Sequence, residues 1–197
     1  QLKSELNYKD GQWEGLYKEW YENGQKKAEG NYKNGKREGL YKGWYENGQK
    51  KAEENYKNGK TDGLFKRWYE NGQLRSEHYY DQNQQLDSCH VWYEDGQLKY
   101  ELKKYLLPLP VDKERIVAKH FLEDGQIHYE LEYEDGKLVH EKQWWYNGQL
   151  KVSRKYKELR IVTQECWTKG GEVKKFDHDF HPVKFSLWYE KNYYKLF

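Results

Sequence analysis

Apolar residues along this chain recur in fixed phrases separated by charged residues and by Asn-Gly. Trp20-Tyr21-Glu22-Asn23-Gly24-Gln25 returns at 44–49 and 68–73, and again at 92–97 with Asp95 in place of Asn. A second phrase, Tyr32-Lys33-Asn34-Gly35-Lys36, returns at 56–60 and, as Asp-Gly, at 8–12. The first phrase repeats every 24 residues, and Gly11, Gly24, Gly35, Gly48, Gly59 and Gly72 follow one another in steps of 13, 11, 13, 11 and 13. Asn-Gly and Asp-Gly between apolar runs are strong hairpin signals, because a two-residue type I′ turn needs φ > 0 at both central positions. Turns this frequent leave strands of about seven to nine residues. A helix would carry a glycine in every few turns, at about 1 kcal/mol each. The pattern therefore predicts an all-β fold, an elongated single-layer antiparallel meander of repeated β-hairpins with 14 to 16 strands, about 70 Å long at ~4.8 Å per strand.

Side chains alternate faces along a strand, so Trp20 and the adjacent Tyr21 must point to opposite sides. A two-residue turn at Asn23-Gly24 pairs Tyr21 with Lys26 and Trp20 with Lys27. It puts Tyr17, Tyr21, Ala28, Gly30 and Tyr32 on one face and Leu16, Trp20 and Lys27 on the other. Ala28 and Gly30 leave room for tyrosine rings, and lysine stems can cover tryptophan. A bulged turn would instead shift the register by one.

The repeat degrades towards the C-terminus. Leu122 to Gln126, Glu134 to Lys137, Trp145-Tyr146-Asn147-Gly148-Gln149 and Trp167 to Glu172 are recognisable copies, and Leu187 to Asn192 resembles a last one without its glycine. Between Gly96 and Gly125 the step lengthens to 29 at Leu106-Leu107-Pro108-Leu109-Pro110. Proline cannot donate to a central ladder, so an enlarged loop or bulged edge is expected at 105–114. The organisation expected is one continuous repeat domain: regular repeats over 1–104, a Pro-containing insertion over 105–119, and diverged repeats with a C-terminal cap over 120–197.

Composition changes the picture in one respect. A mean hydropathy of -1.36 with only 36% hydrophobic residues would suggest disorder, but half of those residues are aromatic: 20 Tyr, 9 Trp and 6 Phe. Rings bury large areas on pleated surfaces and can replace an aliphatic core. Charge is balanced, with 16 basic against 12 acidic residues over 1–75 and 19 against 21 over 76–197. This argues against a nucleic-acid partner. No apolar run approaches the ~20 residues of a membrane-spanning helix. A cytoplasmic chain is expected, and a processed, exported one also fits a sequence that begins at Gln1.

The phrases Trp-Tyr-Glu-Asn-Gly-Gln, Tyr-x-x-Gly-Lys and Gly-Leu-Tyr/Phe resemble the variant class of MORN repeats, strongly over 8–100 and recognisably at 120–150. The resemblance implies an elongated antiparallel sheet used for protein contacts, with lipid headgroups as an alternative target. It also implies a bacterial immunity or antitoxin role against a secreted toxin. The Leu-Pro-Leu-Pro insertion and the last quarter of the chain depart from it.

Candidate chemistry is sparse. Asp177-His178-Asp179-Phe180-His181 offers His178 and His181 as metal ligands with a carboxylate, and a metal-dependent enzyme built on 177–181 is one reading. A polar loop before Pro182 is the simpler one. Cys89 and His90 are adjacent and should point apart. Cys166 has no base nearby in sequence, and the two cysteines have no metal-type spacing. Glu22, Glu46, Glu70 and Glu94 should line one edge in solvent. Each glycine is accounted for by a turn, so no phosphate loop is expected. The leading expectation is a non-enzymatic module without cofactor that binds a protein, a toxin or other effector. The alternative is a membrane- or lipid-associated scaffold. The residues expected to touch a partner are Trp20, Trp44, Trp68, Trp92 and Trp145, with Leu106, Leu107 and Leu109 of the insertion, since tryptophan dominates interface energetics.

Overall fold

The computed structural model describes residues 3–80, 86–106, 114–158 and 160–175. They form an all-β chain of consecutive antiparallel hairpins in which strand order follows chain order through fifteen strands. Residues 1–104 with 120–125 make one compact unit, and 105–119 with 126–197 make another. The first unit holds strands Gly15–Trp20, Lys26–Lys33, Gly39–Trp44, Lys50–Lys57, Lys60–Trp68, Leu74–Tyr80, Leu86–Trp92 and most of Leu98–Leu106, preceded by a small separate hairpin of Tyr8–Lys9 and Gln12–Trp13. The second holds most of Glu114–Phe121, then Ile127–Glu134, Lys137–Trp144, Leu150–Lys157, Arg160–Trp167 and Val173–Lys175. Strand structure thus reaches Leu106 and resumes at Glu114, inside the stretch where a wide loop is expected.

The two glycine phrases build two different turns. In the lysine phrase, Asn34 and Gly35 have φ of 51° and 74°, and Asn58 and Gly59 have 54° and 80°, the two-residue type I′ geometry that Asn-Gly predicts. In the tryptophan phrase only glycine is left-handed: Gly24 has φ 84° and Asn23 is not positive. There the Gly24 N–H donates to Tyr21 O and the Tyr21 N–H to Gln25 O, closing a three-residue loop, a type I turn followed by a bulged glycine. The expected pairing at this turn is therefore corrected: Trp20 pairs with Lys26, not Lys27.

One residue later the register shifts back. Lys27 bulges out between the pairs Trp20↔Lys26 and Glu19↔Ala28, and the ladder continues as Tyr17↔Gly30 and Gly15↔Tyr32. The extra residue in the turn and the extra residue in the strand cancel. Tyr17, Ala28, Gly30 and Tyr32 consequently share a face as the sequence suggests, but Lys27 moves to the tyrosine side. Its Nζ lies 2.7 Å from Glu19 and 5.8 Å from the Tyr21 ring centroid. The same bulge recurs at Gly43/Trp44.

Buried residues concentrate on the tyrosine face. In the first unit Ala28, Tyr32, Glu54, Ser76, His78, Cys89 and Leu102 are all at most 8% exposed. Small residues make this thin core feasible. Tyr41 lies flat on Gly30, Tyr17 meets Tyr32 edge-on at 5.9 Å, Tyr41 meets Tyr56 at 6.4 Å, and Arg37 lies 4.2 Å from the Tyr41 centroid. In the second unit Ala118, Leu131, Glu141, Val152 and Tyr156 are buried.

The turns are stacked as well as formed. Tyr21, Tyr45 and Tyr69 donate their hydroxyls to the carbonyls of Trp44, Trp68 and Trp92, each at 2.8 Å. Asn23, Asn47 and Asn71 accept the N–H two residues on and donate Nδ2 to the carbonyls of Glu46, Glu70 and Glu94. The glutamine that ends each phrase covers the glycine of the next turn. A Cβ at Gly48 would stand 2.6 Å from Gln25 Oε1, and one at Gly72 would stand 3.0 Å from Gln49 Oε1. At the opposite strand ends Glu14 and Glu38 cap the N–H groups of Asn34 and Asn58 at 2.8 and 2.7 Å. Gly48→Val is expected to lower stability by about 1–3 kcal/mol in urea titrations, because valine resists φ of 85° and displaces Gln25.

Candidate partner-binding face

The face opposite the tyrosines carries three parallel rows in the first unit. The middle row is ionic. Lys18 pairs with Glu29, Glu29 with Lys42, Lys42 with Glu53, Glu53 with Lys66, Lys66 with Glu77, Glu77 with His90 and His90 with Glu101. Sign alternates from Lys18 to Glu77, which is favourable for directly opposed residues. Lys66 approaches Glu77 to 3.3 Å, and His90 approaches Glu101 to 3.5 Å.

On one side of that row lie the tryptophans, paired in register as Trp20↔Lys26, Trp44↔Lys50, Trp68↔Leu74 and Trp92↔Leu98. Lys26 Nζ sits 5.1 Å from the Trp44 centroid and 2.6 Å from Glu29. Lys50 repeats this with Trp68 at 5.2 Å and Glu53 at 2.8 Å. These cation–π contacts are the lysine covering that the sequence suggests, made by Lys26 rather than Lys27. Each lysine thus ties the aromatic row to the ionic one. The rings are half-buried as a result.

On the other side lie Leu16, Leu40 and Leu64, which are 43%, 46% and 41% exposed, with Tyr79 at 47% beside Leu64. A half-open groove of about 600 Å³ runs between the rows, lined by Leu40, Leu64, Trp68 and Tyr79 with Lys50 and Glu53. It combines exposed aliphatic carbon, an aromatic wall and charges of both signs.

Trp20, Trp44, Trp68 and Trp92 thus come together on one face. Trp145 does not. It occupies the position of Tyr21, not of Trp20: its Nε1 donates to Trp167 O at 3.1 Å, as Tyr21 donates to Trp44 O, and Lys151 lies 4.6 Å from its ring. Trp144, paired with Leu150, is the counterpart of Trp20. The phrase there has lost its glutamate, so Tyr146 stands at the turn tip, 71% exposed. Leu106 ends a described strand, but its side chain lies outside the described residues, as do Leu107, Leu109, His178 and His181. Glu22, Glu46, Glu70 and Glu94 are exposed at the turn tips as expected, and their edge gains a structural role because the last three offer backbone carbonyls to the turn before.

The tyrosine face holds the polar groups that sequence reading missed. Glu54 accepts the Tyr56 hydroxyl at 2.5 Å and lies between Arg37 and Arg67 at 3.8 and 3.7 Å. Burial, then the bond to Glu54, pushes the Tyr56 phenol up to about 12. In the second unit Glu141 accepts from Arg154 Nη1, Tyr156 and Gln143. Such carboxylates hold neighbouring strands in register by satisfied hydrogen bonds.

Cys89 and His90 point apart, as expected; Cys89 instead pairs with His78 across the strands. Burial drives the thiol up to about 12 and the His78 imidazole down to about 4, with Arg67 reinforcing the latter. Both groups are thus neutral at pH 7, opposite to a thiolate–imidazolium pair. The depressed His78 has a thermodynamic consequence. Below its unfolded value of about 6.5 the unfolded chain takes up a proton that the folded one refuses, so stability falls from pH 6.5 towards 4, by up to about 1.4 kcal/mol per pH unit. His128 and His140, also lowered mainly by burial, act in the same sense. Urea midpoints measured across this range should decline, and His78→Gln should flatten the slope.

Residues 13–34, 37–58, 61–82 and 116–135 match the family described as MORN repeat variant. Comparison with curated proteins returned no match.

Proposed function

From the premise that four stretches of the chain are MORN repeat variants, we propose that it is a non-enzymatic protein-binding module whose docking surface is the Leu–ionic–Trp face of residues 16–101. Repeats of this family are generally protein- or membrane-binding modules. The observation that carries the protein reading is the character of this face. Exposed leucines and a tryptophan wall supply apolar area, and an ionic row of alternating sign supplies directional contacts, the mixture of anchors and polar neighbours found at protein interfaces. Because Lys18, Lys42 and Lys66 alternate with Glu29, Glu53 and Glu77, the ionic row presents no block of positive charge to anionic lipid. The biological role we assign is that of an immunity or antitoxin protein that covers a toxin, supported by the resemblance of the repeat phrases to that class.

Native mass measurement with the product of the neighbouring gene tests the role, and Leu40→Glu/Leu64→Glu tests the face. The double variant should lose the complex at least tenfold, while Glu46→Lys at a turn tip should leave it intact. Unchanged binding by the double variant would overturn the face. Salt-sensitive co-sedimentation with phosphatidylserine vesicles, without a protein complex, would replace the protein reading by the membrane one.

A further inference from the structure

The chain contains six Asn-Gly pairs, at 23, 34, 47, 58, 71 and 147. Asn-Gly is the sequence most prone to spontaneous deamidation, because glycine leaves its nitrogen open to the asparagine side chain. The glycine nitrogen loses its proton to solvent base and attacks Asn Cγ. The bond from Cγ to the amide nitrogen breaks, ammonia leaves, and a five-membered succinimide forms. Water then opens the ring at either carbonyl, giving Asp or isoAsp, so that overall one water is consumed and one ammonia released.

The six pairs are not equivalent. Asn23, Asn47, Asn71 and Asn147 are clamped at both ends of the side-chain amide. Their Oδ1 atoms accept the N–H of Gln25, Gln49, Gln73 and Gln149 at 2.9, 2.9, 2.9 and 3.2 Å. Their Nδ2 atoms donate to the carbonyls of Glu46, Glu70, Glu94 and Lys169 at 3.0, 2.9, 3.1 and 3.2 Å. Asn34 and Asn58 are exposed, and their bonds run through the backbone N–H to Glu14 and Glu38; among the described residues their side-chain amides are not clamped. The glycine N–H is hydrogen-bonded in both groups, Gly35 to Trp13 O and Gly24 to Tyr21 O. The turn geometry differs between the groups, and the side-chain clamp is the difference that acts on the amide under attack. We infer that Asn34 and Asn58 are the deamidation sites of this protein, and that the stacked turns protect the other four.

The product has a defined effect. A carboxylate at 34 or 58 appears beside the Glu14 or Glu38 carboxylate that caps the same residue, and like charges repel. IsoAsp adds a methylene to the backbone of a two-residue turn. Modification therefore loosens the turn edge opposite the protected stack.

The native protein, held folded in mildly alkaline buffer at body temperature, tests this. Peptide mapping by mass reads conversion at each asparagine. Asn34 and Asn58 should convert faster than Asn23, Asn47, Asn71 and Asn147 by roughly tenfold or more, since two hydrogen bonds must open first at the clamped sites. In concentrated urea the ratio should collapse towards one. Equal rates in the folded protein would overturn the inference, and so would a ratio that persists in urea, because sequence rather than fold would then set it.

Discussion

Gly30→Ala should lower the unfolding free energy by about 2 kcal/mol, whereas Gly43→Ala, on the same face of the neighbouring strand, should leave it unchanged or slightly raised. Neither glycine has a positive φ, so backbone strain does not enter. The difference is what a methyl group meets. At Gly30 the new Cβ would lie 2.5 Å from Tyr41 Cδ2, and at Gly43 its nearest neighbour is 3.8 Å away, an ordinary contact. The Tyr41 ring cannot swing aside cheaply. It is held by Arg37, 4.2 Å from its centroid, and by Tyr56 edge-on. Urea titrations followed by tryptophan fluorescence would measure both variants. Equal effects would show that the tyrosine ladder adapts as a fluid layer rather than as packed rings.

Arg154→Ala should cost about 2–3 kcal/mol, somewhat less than the 3–5 typical of a fully buried pair because Arg154 keeps a quarter of its side chain in solvent. The reason is Glu141, which is 5% exposed and receives two 3.2 Å contacts from Arg154 Nη1. Without the guanidinium, the charge rests on Tyr156 and Gln143 alone. Gln164 loses its Arg154 Nε partner as well. Tyr156→Phe should cost less, about 1.5 kcal/mol, since the ion pair survives it. The double change Glu141→Leu/Arg154→Met should recover part of the single-variant loss, as replacing both members of a buried pair by apolar residues commonly does. Thermal unfolding of the three variants distinguishes these outcomes, and a double variant worse than Arg154→Ala would mean that the cluster stabilises beyond its own charges.

The sequence carries the architecture because turns spaced at 13 and 11 residues leave only strand-length segments between them. It carries the faces less directly. Asn-Gly reads as type I′ in both phrases, and that is right for Asn34-Gly35 and not for Asn23-Gly24, where Glu22 joins the loop. Apart from Lys27 itself the face assignment holds, because Lys27 bulges and restores the register. Trp145 takes the position of Tyr21 for a related reason: with the glutamate missing, the phrase aligns on letters one position away from the structural match of Trp20, which is Trp144. The candidate face was half legible. The tryptophans follow from the phrase, but the ionic row needs the register of eight strands. The Tyr–carbonyl and Gln–glycine contacts join residues 23 apart, where no local pattern announces them.

Those contacts all run one way. Tyr21, Asn23 and Gln25 each reach forward to the turn that follows. The array therefore has a polarity like that of roof tiles, each copy overlapping the next. Such a chain can lengthen or shorten only by whole pairs of strands. A single strand added or removed would move each following turn to the opposite edge of the sheet and leave the next turn uncovered. Evolution by duplication is thereby held to steps of one full repeat, which keeps any partner-binding row unbroken as the sheet grows.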